Sequence, residues 1–185
     1  GFICEHPCEA RCRRNMVDDA VNIRGLKRFA ADYAGFVEPP ECAPLTGKKV
    51  AVLGGGPGGL SAAYYLQLMG HQTTVYEMLP KLGGMLRYGI PNMKLEKSVI
   101  DRRVRLMEEE GVIFKTNVNV GVDVKAAKLL KDFDRVVLCC GASNPRDIKV
   151  PGREAEGIYF AVDFLKGVTK SLLDSDLADQ KFVAC

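Results

Sequence analysis

Tryptophan is absent from this chain and histidine occurs only twice among 185 residues, which leaves little room for a metal site built on imidazoles. No run of about 18 apolar residues exists, so no segment reads as a membrane span. The opening residues, Gly1-Phe2-Ile3-Cys4-Glu5-His6, lack the basic-then-apolar order of a signal peptide. A cytoplasmic setting is expected, and with it free thiols rather than disulfides. The formal net charge of +3 is too small to argue for nucleic acid. With 47% hydrophobic and 26% charged residues, disorder, collagen and coiled coil are excluded. The length suits one domain with a small appendage.

The pattern changes near residue 45. Residues 1–44 open rich in Cys and Arg, then carry Ile23, Leu26, Phe29, Ala30 and Tyr33 at helical spacing, with Gly35 able to end the helix. Pro39, Pro40 and Pro44 mark the stretch 38–44 as a linker, because proline cannot continue a helix. Residues 45–185 read as alternating strands and helices. Val50-Ala51-Val52-Leu53 is a short apolar run of the kind buried on both faces. A helix over 60–69 stops at Gly70, and 72–77 is a second strand. Further helices are expected over 95–110, near 124–130 and over 160–173, with strands over 112–115 and 135–140. The fold expected is α/β: a Rossmann-like parallel sheet with flanking helices, preceded by a small helical Cys-rich segment.

Gly54-Gly55-Gly56-Pro57-Gly58-Gly59 fits G-x-G-x-x-G after a strand and at the start of a helix. Gly54 allows the tight turn, Gly56 lets the backbone approach a pyrophosphate, and Gly59 lets helix and strand pack closely. The helix N-terminus offers unpaired N–H groups to phosphate. Glu77 lies 23 residues after Gly54, near the spacing of an acid that binds the adenosine ribose hydroxyls. A carboxylate there would repel a 2′-phosphate, so the ligand expected is FAD or NAD. The bland alternative is a turn that merely packs one strand on one helix.

Cys4, Cys8 and Cys12 fall within nine residues. Thiolates at that density suit an iron–sulfur cluster or zinc. Arg11, Arg13 and Arg14 would offset the cluster's negative charge or face a partner. Three unliganded thiols so close together would be a redox liability. Cys42, Cys139, Cys140 and Cys185 are assigned no chemistry, and Cys139 and Cys140 are expected to be buried in a strand.

The segment LGGMLRYGIPNMK (82–94), with GGGPGGLSAAYYL and TVYE, closely resembles the glutamate synthase small-subunit family of FAD- and iron–sulfur-dependent NAD(P)H oxidoreductases. That group includes the large subunit of the ferredoxin-dependent transhydrogenase and the N-terminal part of dihydropyrimidine dehydrogenase. VVLCCGASNPR (136–146), VPG (150–152) and FAVDFL (160–165) continue the match. The resemblance implies FAD in this first nucleotide fold. Gly54, Gly56, Pro57, Gly58 and Gly59 would form the pyrophosphate turn and Glu77 the ribose contact. Gly84 and Met85 would lie near the flavin, Lys94 would reach a phosphate or the ring edge, Val120 would meet adenine, and Gly141 would approach FAD where a side chain cannot fit. By chemistry alone Met85 and Val120 read equally well as packing residues, and Arg102, Arg103 and Arg105 as a solvated helix face.

The resemblance also implies a cluster, of the 4Fe-4S type, on Cys4, Cys8 and Cys12. The fourth ligand is open: relatives place a Cys upstream or a Gln or Glu in the next helix, where this chain has Lys27, and an ammonium cannot ligate iron. Glu9 is a weaker candidate. The second nucleotide fold, which binds NAD(P)H in relatives, is expected to begin about 181–185, so the chain reads as the N-terminal part of a longer oxidoreductase. In that enzyme NAD(P)H would reduce FAD, and FAD would reduce clusters and a partner subunit or ferredoxin-type acceptor in a hetero-oligomer. No side-chain nucleophile is expected, since the residues around Ser61 lack the trailing glycine of G-x-S-x-G. The alternatives are an electron-transfer subunit of a transhydrogenase, hydrogenase or formate dehydrogenase complex, and a non-catalytic module that holds FAD and the cluster and docks a partner.

Overall fold

In the computed structural model, which describes residues 1–35 and 37–178, four strands form one parallel sheet. They are β1 (Lys49–Leu53), β2 (Gln72–Tyr76), β3 (Ile113–Lys115) and β4 (Arg135–Leu138), in the order β3-β2-β1-β4. Val52 of β1 stands opposite Val75 of β2 and Val137 of β4. The α/β architecture expected from the alternating pattern is therefore present. Residues 181–185, where a second nucleotide fold was expected to begin, lie outside the described residues.

Strand alternation explains why 50–53 is apolar without a break. Val52 and Val75 point to one face, where they pack with Leu60 and Ala63 of α3 (Pro57–Leu68), Leu82, Met107 and Val112. Ala51 and Tyr76 point to the other, against Leu129. Both faces are thus covered. Val52 and Val75 have no exposed surface, and each contributes about 1.5–3 kcal/mol through burial.

Three further helices complete this part: α5 (Lys97–Glu109), α6 (Ala126–Asp132) and α7 (Ala161–Ser175). Between β2 and α5 lies the one-turn helix α4 (Met85–Tyr88), which carries no periodic signal in the sequence and packs against α7. No helix among the described residues is long and apolar enough to cross a membrane.

The chain separates into two compact units, Gly1–Pro40 and a second that begins at Glu41. Part of the proline-rich stretch belongs to the second: the Ala43 N–H donates to Leu68 O at 2.8 Å, and Pro44 O would lie 2.2 Å from a Cβ on Gly70. The first unit contains α1 (Pro7–Ala10), a 3₁₀ turn over Arg13–Met16 and α2 (Ile23–Tyr33). α2 starts where the Asn22 side chain accepts the Gly25 N–H at 2.9 Å. It ends beside Gly35, whose φ of +64° only glycine adopts readily. Leu26, Phe29 and Tyr33 keep their helical spacing but are exposed, and no described residue of this unit is buried.

Candidate functional site

The glycine-rich turn sits at the carboxyl end of β1, where the strand order reverses: the chain moves from β1 to β2 and β3 on one side and returns to β4 on the other. In open parallel sheets that switch point is where ligands enter. Gly54 and Gly59 are glycines because the fold demands it. Gly54 has φ +109°, and a Cβ there would lie 2.3 Å from Cys139 O, in the segment following β4. A Cβ on Gly59 would lie 1.8 Å from Gly54 O. Gly55, whose role the fingerprint leaves open, is constrained too: its Cβ would strike Leu82 at 2.4 Å.

Gly56 and Gly58 differ. A Cβ on Gly58 meets no protein atom within 4 Å, and one on Gly56 meets only Gly84 Cα, at 3.9 Å. Packing does not require glycine at either position. They open the N-terminus of α3, where Gly56 is the N-cap, no side chain caps the helix and Pro57 stands in its first turn. An uncapped helix N-terminus beside open glycines is a cradle for an anion.

Glu77, directly after β2, is buried. Its Oε2 accepts the Gly55 N–H at 2.7 Å and its Oε1 accepts the Leu79 N–H at 2.8 Å. The acid is thereby held against the glycine turn by two backbone donors.

The segment 82–94 folds back onto this turn. The Gly83 N–H donates to Gly55 O at 2.8 Å. Gly84, at φ +48° and ψ −122°, would bring a Cβ within 2.8 Å of Gly56 Cα. Only glycine fits such a conformation and such an approach. Met85 begins α4 and is about half exposed, and Lys94 lies on the surface of the following turn. Two cations in this region went unnoticed in the sequence because nothing local marks their burial. Arg87 pairs with Asp101 and donates from Nε to Leu82 O at 2.6 Å. Lys97, the first residue of α5, is nearly as deeply buried.

Val120 is half-buried against the cluster of Ala51, Tyr76 and Leu129. Gly141 is exposed at φ +69°, with nothing within 4 Å of a Cβ. The expectation that Cys139 and Cys140 are both buried in a strand needs correction. β4 ends at Leu138; Cys139 is half-buried and Cys140 exposed. The reason is that β4 has a strand on one side only, so its end lies open. Burial pushes the Cys139 thiol up, away from reactivity. A concavity of about 510 Å³, floored by Val50, Leu66 and Val137, lies instead at the amino ends of β1 and β4. It is remote from the glycine turn, at the end of the sheet that open α/β folds do not use for ligands.

In the first unit, Cys4 Sγ accepts the His6 N–H at 3.4 Å. The Cys12 thiol is pulled below its ordinary range by the backbone N–H groups of Val21 and Arg14, which favour thiolate. Cys8 is exposed. Among the described residues no three His, Cys, Asp or Glu side chains are grouped to hold a metal ion. Glu9 is engaged elsewhere: its Oε1 accepts the Arg24 N–H at 2.7 Å and its Oε2 faces His6 Nδ1 at 3.1 Å. It secures the start of α2, not a fourth ligand position.

Comparison with known proteins adds to this geometry. The family model for pyridine nucleotide-disulphide oxidoreductases matches residues 48–179. The glutamate synthase (NADPH) small chain of Bacillus subtilis is 44% identical over 186 residues, 99% of this chain and 38% of that protein. The NADP(+)-dependent formate dehydrogenase subunit beta of Moorella thermoacetica is 38% identical over 90% of this chain and 27% of its own length. The chain thus spans less than two fifths of these relatives. Among solved structures, Mycobacterium tuberculosis FprA in complex with NADPH superposes with a TM-score of 0.58 at 28% identity, over 67% of this chain and 28% of that one.

Proposed function

The chain belongs to the pyridine nucleotide-disulphide oxidoreductase family, and we propose that it is the FAD-binding portion of an NAD(P)H-dependent electron-transfer oxidoreductase of the glutamate synthase small-subunit kind. One observation carries the ligand assignment: Gly56 and Gly58 border open space in a turn where Gly54 and Gly59 are required by backbone contacts. A cradle that a Cβ would fill fits a dinucleotide pyrophosphate. Gly54, Gly56, Pro57, Gly58 and Gly59 would wrap the pyrophosphate, with the α3 N-terminus supplying its N–H groups. Glu77 would face the adenosine ribose, and its carboxylate disfavours a 2′-phosphate there. Gly84 and Met85 would line the flavin side, and Val120 and Gly141 the remaining approach. Lys94, exposed on a turn, would serve as an outer contact. FAD held there would supply the conversion between two-electron and one-electron chemistry that links NAD(P)H to single-electron carriers. The protein's share is to bind, orient and exclude.

Cys4, Cys8 and Cys12 are proposed to hold an iron–sulfur cluster, of the 4Fe-4S type. The donor set suits it in part: the His6 N–H points at Cys4, and backbone N–H groups favour the Cys12 thiolate. Lys27 and Glu9 are both unsuited to complete it: an upstream Cys or another group would be the fourth ligand, or the site is incomplete. The electron acceptor is proposed to be a partner subunit in a hetero-oligomer, as the names of the small-chain and beta-subunit relatives suggest. The higher identity of the glutamate synthase chains favours that kind over the formate dehydrogenase kind.

An anaerobic absorption spectrum of the purified chain, with assays for iron and released flavin, tests both assignments. Flavin bands with a broad iron–sulfur shoulder are expected. A chain that takes up neither cofactor on reconstitution would overturn them.

A further inference from the structure

Lys97 is buried, 5% exposed, and all of its donors are spent on backbone. Its Nζ donates to Ile90 O at 2.5 Å, Leu95 O at 3.0 Å and Leu86 O at 3.2 Å. Leu86 lies within α4, and Ile90 and Leu95 lie in the turns that follow it. One ammonium therefore gathers three points of the segment 86–95 onto the start of α5. Among the described residues no carboxylate forms an ion pair with it, whereas its buried neighbour Arg87 is answered by Asp101.

An unpaired charge is costly to bury, and an apolar side chain could fill the same volume more cheaply. What distinguishes the ammonium is the number of carbonyls it holds at once. The segment it holds includes α4, whose N-cap Gly84 packs against Gly56 in the pyrophosphate turn. We propose that Lys97 is a positioning residue for the bound dinucleotide: it clamps the 82–95 segment so that Gly84 stays seated on Gly56. The role rests on the FAD reading above, but the clamp has its own observable.

The test uses the 185-residue chain, amide hydrogen exchange and titration with FAD. Lys97→Met keeps the length of the stem and removes every donor. Exchange at Gly83, Tyr88, Gly89 and Ile90 is expected to quicken about tenfold, with the β1 and β2 amides unchanged, and FAD affinity to fall about tenfold. Lys97→Ala should regain both properties with propylammonium and neither with propanol, which separates the charge from mere filling of space. Unchanged exchange in the segment, uniform quickening across the sheet, or unaltered FAD affinity beside a loosened segment would each overturn the proposal. A loosened segment in a chain whose wild type takes up no FAD would overturn the flavin reading and support the clamp alone.

Discussion

From Glu41 onward, Val52, Ala63 and Val75 have no exposed surface, and both faces of the sheet are covered; among the first 40 residues no described side chain is buried. The two units also differ in what their polar groups do. In the sheet unit Glu77 is buried and holds the backbone of the glycine-rich turn, and Lys97 is buried and holds the backbone of residues 86–95. In the first unit the ion pairs Arg14–Asp18 and Arg28–Asp32 are exposed, and pairs of that kind contribute little to stability. Units of about 40 residues usually need cross-links, metal or association with another surface to hold their shape. The contrast supports the cluster reading: where the core is missing, the cysteines are dense.

Removing the thiols should break this contrast most severely. In the chain carrying Cys4→Ser, Cys8→Ser and Cys12→Ser, bound iron is expected to vanish and the first 40 residues to become fully open to proteolysis. The unfolding midpoint of the sheet unit should stay where it is. Equal loss of both units would show that they share one source of stability.

The sheet unit should fail at its glycines unequally. Gly59→Ala places a Cβ against Gly54 O and should cost about 3 kcal/mol in urea unfolding. Gly58→Ala meets open space and should shift stability by less than about 0.5 kcal/mol while weakening FAD binding. If the two substitutions cost the same, the division between fold-demanded and ligand-facing glycines is wrong.

Glu77→Leu should come next. It strands the N–H groups of Gly55 and Leu79 without acceptors in a buried site, a loss of about 2 kcal/mol by chemical denaturation. A variant as stable as the wild type would mean that this carboxylate serves the ligand alone.

The smallest effect sharpens the comparison at the sheet's amino end. The Lys49 N–H donates to Asp134 Oδ2 at 2.8 Å and, with Lys48 beside it, holds the Asp134 carboxyl below its ordinary value of 3.8. A carboxylate whose folded pKa is depressed stabilises above the unfolded value, and that stability is lost as pH falls through the folded one. Asp134→Asn should therefore be slightly less stable than wild type at pH 6, with the gap closing toward pH 2. Urea midpoints at the two pH values read it out. A gap that persists in acid would trace the effect to shape rather than charge.

Much of this was readable along the chain. The apolar run 50–53, the glycines after it and Glu77 at the end of the second strand are local signals, because strand periodicity, tight turns and helix starts are set by neighbours within a few residues. They sufficed for the parallel α/β class and for a glycine-rich turn between the first strand and its helix. Burial across distance was not readable. Nothing near Lys97 or Arg87 distinguishes them from the exposed Lys94, and the helical stripe of Leu26, Phe29 and Tyr33 looks like any core-facing face. Gly55 and Gly84 are required by residues far along the chain, Leu82 and Glu77 for one and Gly56 for the other. Period and turn chemistry act through adjacent bonds and so are written in the order of residues; which charge is desolvated, and which glycine is crowded, depends on partners that meet only when the chain has closed on itself.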